Sequence, residues 1–302
     1  MDDEPTLSLL TFAELPGIGE RRLARLQTHA RAACIPLARL SALPPAALAT
    51  ELRLPGVAVR RLCDGRVWHV ARCAALARRL ATAGALLCQP GDAPYPPAWA
   101  RRAAPPPPLA TLYGDPGLAR QPSVALLHSR LVSERSVAAT LCVTRAAAAE
   151  GLTLAVGGMK TPHRIAAATG RALGARRLVV LDRGLLAAFG ADLEHEPFGL
   201  GPGRSHFDAA RTLVLSPFRP DDHAVPRSGR RRDALLAALG DLVVVISARP
   251  GGEVERCALA ALTRGQPVLA WEDASPALRA AGARRLDAAG LAAGLRRWLP
   301  GG

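Results

Sequence analysis

From residue 123 onward the chain alternates short, wholly apolar runs with longer helical stretches, and few architectures accept that pattern. The apolar runs are 123–128 (SVALLH), 152–156 (LTLAV), 177–181 (RLVVL), 212–215 (TLVL), 242–247 (LVVVIS) and 267–271 (PVLAW). Helical stretches lie between them, notably 134–149, 163–173, 230–239 and 253–264. A strand with no polar face must be covered on both sides, and crossover helices supply the cover. The expected fold is therefore α/β, a Rossmann-like doubly wound parallel sheet over 123–302, with one or two terminal helices after 272. Residues 190–210, rich in glycine, proline and polar groups, read as an irregular loop.

Two further regions precede this one. Residues 1–85 read as an all-helical domain of helix–hairpin–helix (SAM-like) type. Its signature is Leu15-Pro16-Gly17-Ile18-Gly19-Glu20-Arg21-Arg22-Leu23, with a weaker echo at Leu54-Pro55-Gly56-Val57-Ala58. Gly17 and Gly19 permit a tight turn, the N–H groups opening the next helix can hold a backbone phosphate, and Arg21 and Arg22 can add to that contact. The alternative is that the hairpins only pack the domain. Residues 86–122 are proline-dense, which favours extended backbone, and read as a connection packed on the α/β domain.

The bulk numbers narrow the class. At 302 residues the chain can build a real core. No apolar stretch is long enough to span a bilayer, and the acidic start Met1-Asp2-Asp3-Glu4 lacks signal-peptide features, so a soluble cytoplasmic protein is expected. Cys34, Cys63, Cys73, Cys88, Cys142 and Cys257 form no CxxC pairs, have mostly apolar neighbours and read as buried reduced thiols. A formal net charge of +14 with a pI near 11.1 favours a polyanionic partner, most simply nucleic acid.

The charges cluster where strands should end. Lys160 is the only lysine among 39 basic side chains, and it sits in the turn Val156-Gly157-Gly158-Met159-Lys160. In open α/β sheets, ligands bind at the carboxyl ends of strands, where glycine turns expose N–H groups. The strand ending at His128 is followed by Ser129 and Arg130, and the one ending at Ser247 by Arg249 and Gly251-Gly252. Arg227, Arg230, Arg231 and Arg232 crowd the start of the helix before that last strand. Ser129, Arg130, Gly157, Lys160, Arg227, Arg230, Arg231, Arg232 and Arg249 are thus the candidate phosphate-backbone site.

Catalytic chemistry finds little footing. No GxGxxG, Walker A or GxSxG element is present, and no cofactor is expected. Glu194-His195-Glu196 has a metal-like composition, but adjacent residues point apart and no second ligand pair has suitable spacing. His128 and His163 fall near the rim and read as polar loop residues, with a phosphate or base contact as the alternative. Aromatics in loops (Tyr95, Phe198, Phe207, Phe218) are few and read as packing, so base stacking would be limited.

These landmarks together resemble the DprA/Smf family of DNA-processing proteins. Asp92-Ala-Pro-Tyr95-Pro96 is similar to its D-x-x-Y-P, and Pro107-Pro108-Leu109-Ala-Thr-Leu112-Tyr113-Gly114 to its P-P-x-x-L-Y-x-x-G. Leu127-His128-Ser129-Arg130 resembles V-G-S-R, and Val156–Lys160 falls where the family has S-G-L-A-R/K. Leu215-Ser216 matches the start of L-S-E, and Arg232-Asp233-Ala234 stands in register with R-N-R. Gly240–Ala248 follows S-D-x-V-V-V-V-E-A, and Gly265-Gln266-Pro267-Val268 resembles G-R-x-V. The resemblance implies a non-enzymatic protein that binds single-stranded DNA in transformation, recombination or repair, forms a homodimer and loads the RecA recombinase. It also implies that Arg130, Lys160 and Arg232 line the DNA pocket.

The departures are specific. The family's first glycine of G-S-R is His128, its G-I-D is Thr161-Pro162-His163, and glutamates of L-S-E and of the later strand are Pro217 and Ser247. A second reading is a nucleotide-binding or nucleotide-hydrolysing enzyme of the wider lysine-decarboxylase-like group. Its G-G-x-G-T-x-x-E turn survives here only as the fragment Gly251-Gly252-Glu253-Val254-Glu255.

Overall fold

The computed structural model describes residues 4–129, 132–190, 192–201, 203–271 and 274–299. Its strands, in chain order, are β1 (Leu86–Cys88), β2 (Ala110–Gly114), β3 (Ser123–His128), β4 (Thr153–Gly157), β5 (Arg177–Val180), β6 (His195–Glu196), β7 (Ser205–His206), β8 (Thr212–Ser216), β9 (Leu242–Ser247), β10 (Val268–Trp271) and β11 (Arg284–Leu286). One nine-stranded sheet runs β1-β2-β8-β5-β4-β3-β9-β10-β11, and β6 pairs with β7 separately. From β8 to β11 all neighbours are parallel, while β1 and β2 add an antiparallel edge.

The order of strands creates a crevice. From β3 the chain winds outward through β4, β5 and β8, then the helix Ser228–Leu239 carries it back across to β9 on the other side of β3. The sheet therefore reverses its winding direction at β3, and the carboxyl ends of β3, β4 and β9 open on the switch point where such sheets bind ligands.

The doubly apolar strands fill two cores. Val124 and Leu126 of β3 pack with Ala139, Val143 and Ala147 of the helix Glu134–Ala149. Ala125 and Leu127, one residue out of phase, pack with Leu235 and Leu236 of Ser228–Leu239. That two-residue alternation is the pleat itself, with helices on each face. A reciprocal cap starts the first of these helices: Ser136 N donates to Ser133 Oγ at 3.2 Å, and Ser133 N to Ser136 Oγ at 2.9 Å.

The proline-rich connection is more than an extended spacer. It supplies β1, β2 and the short helix Pro97–Arg102, because its prolines sit at helix starts and in turns rather than within the strands. Trp99 is fully buried there and donates Nε1–H to Leu235 O at 3.0 Å. Tyr95 is buried too, its hydroxyl donating to Pro107 O at 2.8 Å.

The first region is helical throughout, with the helices Glu4–Ala13, Glu20–Ala32, Leu37–Leu40, Pro45–Thr50, Gly56–Cys63 and Arg66–Thr82. Phe12, Leu15, Ile18, Leu26 and Leu62 form its own core. Cys73, Leu76 and Leu80 of the last helix join the core of the sheet instead, which fastens the region to it. Among the described residues no helix is long and apolar enough to cross a membrane.

Candidate nucleic-acid interface

Three strand ends meet at the switch point. At the tip of β3, Ser129 N donates to Ser247 O of the β9 end at 2.9 Å, and the two hydroxyls lie 3.1 Å apart. Lys160 follows β4 as the residue that opens the helix Thr161–Ala172, with Pro162 in the first turn. Its ammonium donates to Asp233 Oδ2 at 3.1 Å, and the side chain keeps 22% of its surface. Arg130, the cation expected beside Ser129, lies outside the described residues.

Beneath Lys160 the floor is buried and balanced in charge. Arg232 is fully buried, its Nε donating to Asp233 Oδ1 at 2.9 Å and its Nη1 standing 3.5 Å from Asp182 Oδ2. The resemblance-based expectation that Arg232 meets phosphate is therefore corrected: its guanidinium is consumed by two carboxylates and has no path to solvent. Gly157 is corrected likewise. It is buried, and a Cβ there would stand 2.9 Å from His163 Cδ2 and 3.1 Å from Arg232, so glycine is needed for packing rather than for an exposed N–H.

His128 and His163 are part of this floor and not loop residues. Both are buried, their rings meeting edge to face at 5.1 Å. Burial, then the cations Arg232 and Lys160, pushes His128 down to about 3. Burial and the same two cations, with His128 added, hold His163 well below the ordinary range. Both rings are neutral at pH 7, so they add no charge for a phosphate.

The accessible cations sit around this floor. Arg227, Arg230 and Arg249 are exposed, and Arg230 approaches Glu253 Oε2 only at 3.9 Å. Arg231 points the other way, to Glu20 Oε2 at 3.0 Å and Pro105 O at 3.0 Å, and so faces the helical region. The Gly251-Gly252 turn is already filled: Gly251 N donates to Glu255 Oε2 at 2.6 Å, and the Ser275 hydroxyl donates to the other oxygen. In the register of the fragmentary G-G-x-G-T-x-x-E turn the glutamate position is Ala258, and Glu255 is held within the fold by these bonds.

The hairpin forms as its glycines require. Gly17 adopts φ +78° and presses on Pro55 of the second hairpin, so the two turns pack together. Gly17, Gly19, Arg21 and Arg22 are exposed, but Arg22 folds back, its Nη1 donating to Gly17 O at 2.7 Å. Arg219, from the segment after β8, donates to Ile18 O at 2.7 Å. Between hairpin and sheet lies a cleft of about 880 Å³.

Sequence reasoning missed Asp182 and Asp233, which decide which cations are available. The signal was one carboxylate set directly after a run of arginines. Among the described residues no group of His, Cys, Asp and Glu is arranged to hold a metal ion. Glu196 of the metal-like triplet is buried in a bidentate pair with Arg177 at 2.9 Å, and His195 Nδ1 lies 2.9 Å from Asp192 Oδ2.

Known proteins share this architecture. DNA processing protein A from Streptococcus pneumoniae superposes with a TM-score of 0.67 at 17% identity, covering 95% of each chain. A structure addressing the single-stranded DNA binding mode of the Helicobacter pylori protein gives a TM-score of 0.53 at 19% identity, covering 67% of this chain and 90% of that one. No curated protein matches the chain by sequence. The sequence pattern of DNA recombination-mediator protein A matches residues 87–297, most of the chain, and this protein belongs to that DprA family of DNA-processing proteins.

Proposed function

We propose that the chain binds single-stranded DNA at the carboxyl ends of β3, β4 and β9, as a non-enzymatic recombination mediator. The observation that carries this reading is electrostatic: Lys160 and the exposed Arg227, Arg230 and Arg249 ring one sheet switch point over a neutral floor. Phosphates bind such a rim through charge without sequence readout. Single-strand binding by the H. pylori relative supports the reading, as does family membership. In the same reading the protein acts as a cytoplasmic homodimer and hands the strand to RecA in transformation, recombination or repair. The hydrolase alternative lacks its glutamate, since that position of the turn is Ala258.

Fluorescence anisotropy with a labelled strand of about 20 nucleotides tests the reading, in low and moderate salt. Binding that weakens steeply with salt and collapses in Lys160→Glu is expected, with melting curves showing the variant folded. Salt-insensitive binding, or none by the wild type, would overturn it.

A further inference from the structure

The helical region carries an aromatic that its own core does not use. Trp68 is 59% exposed, the one large aromatic side chain so exposed among the described residues. It sits in the first turn of the helix Arg66–Thr82, with the Arg61 guanidinium over its ring at 4.9 Å from the centroid. A solvent-facing indole next to arginines is the usual chemistry of a base-stacking platform.

Trp68 also lies at the end of a continuous groove. Trp68, Arg61 and Arg72 line a pocket of about 390 Å³ that shares Arg219 and Asp222 with the larger cleft. That cleft, lined by Arg21, Arg22, Arg219, Arg227 and Arg231 among others, also reaches Ser228. Gly229, the next residue, has Lys160 Nζ only 4.0 Å from the position its Cβ would take. A groove thus runs from the strand-end rim, past Gly19, Ile18 and Pro16, to Trp68.

The acids along this groove are already engaged. Glu20 pairs with Arg231 at 3.0 Å, Asp221 with Arg79 at 3.7 Å and Glu14 with Arg72 at 3.5 Å, and Asp222 Oδ2 accepts from Arg219 N at 3.2 Å. Burial also pushes the Glu14 carboxyl up. Along the whole groove arginines outnumber acids, and Pro16, Ile18 and Gly19 of the hairpin line it.

We infer that single-stranded nucleic acid held at the rim continues through this groove and stacks a base on Trp68, with the arginines of the helical region meeting the intervening phosphates. The inference rests on the single-strand reading of the rim and adds a second, length-dependent section to it. Short strands occupy the rim alone. Longer strands reach the indole, and only they gain from it.

The test is anisotropy on the full chain with labelled oligo(dT) of about 8 and about 30 nucleotides, for wild type, Trp68→Ala, Trp68→Phe and Lys160→Glu. Trp68 is exposed, so its variants should melt with the wild type. Trp68→Ala should weaken the long strand about tenfold, the effect of losing one stacked base, and leave the short strand unchanged. Trp68→Phe should restore most of the loss, and Lys160→Glu should weaken both lengths. Equal binding of the long strand by wild type and Trp68→Ala, with Lys160→Glu still defective, overturns the groove and leaves the rim intact. A wild type that binds neither strand overturns the rim reading itself. If Trp68→Ala changes the sedimentation coefficient of the protein but not its affinity for DNA, the indole belongs to a protein interface and the inference is wrong.

Discussion

Lys160 and Arg232 bind opposite oxygens of one buried carboxylate, Asp233, at 3.1 Å and 2.9 Å. The carboxylate thereby sorts two cations that look alike in the sequence. Arg232 is neutralised inside the protein, while Lys160, still partly exposed, stands above it. Removing Asp233 strands a buried guanidinium, with only Asp182 at 3.5 Å to offset it. Asp233→Ala should cost about 3 kcal/mol or more in a denaturant titration. Lys160→Met leaves the buried pair in place and should cost about 1 kcal/mol at most, while strongly weakening DNA binding. A variant pair that behaved the other way round would reverse the assigned roles.

The buried imidazoles make stability depend on pH. Their pKa values are depressed in the folded state, so between the ordinary histidine value near 6.5 and the folded one the unfolded chain binds the extra protons. Stability is then fully present above about pH 6.5 and falls as pH drops, toward about 3 for His128. Each histidine contributes a slope of about 1.4 kcal/mol per pH unit over that window. His163→Leu should therefore flatten the dependence as pH falls below about 6.5, by up to that amount. Carboxylates titrate there too, so the quantity to compare is the difference between variant and wild type. An unchanged slope would mean that the folded protein protonates His163.

Glu196 fixes the paired strands β6 and β7, which stand where an irregular loop was expected, to the sheet. It holds Arg177 at the start of β5 through two bonds of 2.9 Å, and Arg177 also donates to Thr212 Oγ1 at 2.7 Å. Glu196→Ala would leave Arg177 buried without its carboxylate, costing about 3–5 kcal/mol. The loss should be local first: limited proteolysis should cut within 190–210 sooner than elsewhere. Cleavage spread evenly over the chain would argue against this role.

How far the sequence revealed this arrangement depends on the kind of signal. The parallel strands and their helices were legible because burial on both faces leaves a run such as 242–246 (LVVVI) no polar position. β1, β2 and β11 were not, since strands of three to five residues carry no period and the first two lie among prolines. The rim was legible as a place, because cations follow strand ends. Its internal pairing was not: Arg227, Arg230, Arg231 and Arg232 are one run of like charge on paper, and helix rotation sends them to solvent, to Glu20 and into the core. Gly157 and Gly158 read as anion donors, yet side chains crowd them. A Cβ on Gly158 would come within 2.9 Å of Leu181 and Phe198, so Gly158→Ala should cost about 1–3 kcal/mol by overpacking.

That division of the arginine run also sets the salt dependence of binding. Only Arg227 and Arg230 of the run, with Arg249, are exposed around the rim, so they alone among these arginines can release counterions from a bound strand there. Each phosphate neutralised on a single strand contributes about −0.7 to the slope of log K against log salt. Arg227→Ala, Arg230→Ala and Arg249→Ala should each make that slope shallower by about 0.7 for a strand confined to the rim. All three should melt with the wild type, because none is buried. Arg231→Ala, facing Glu20 and Pro105, should leave the slope for such a short strand unchanged. Arg232→Ala should instead unfold the protein at lower denaturant, since Asp233 and Asp182 would lose their buried partner. Equal slopes for the Arg227, Arg230, Arg249 and Arg231 variants would mean that the strand does not distinguish the two faces of this helix, and the rim would have to be redrawn.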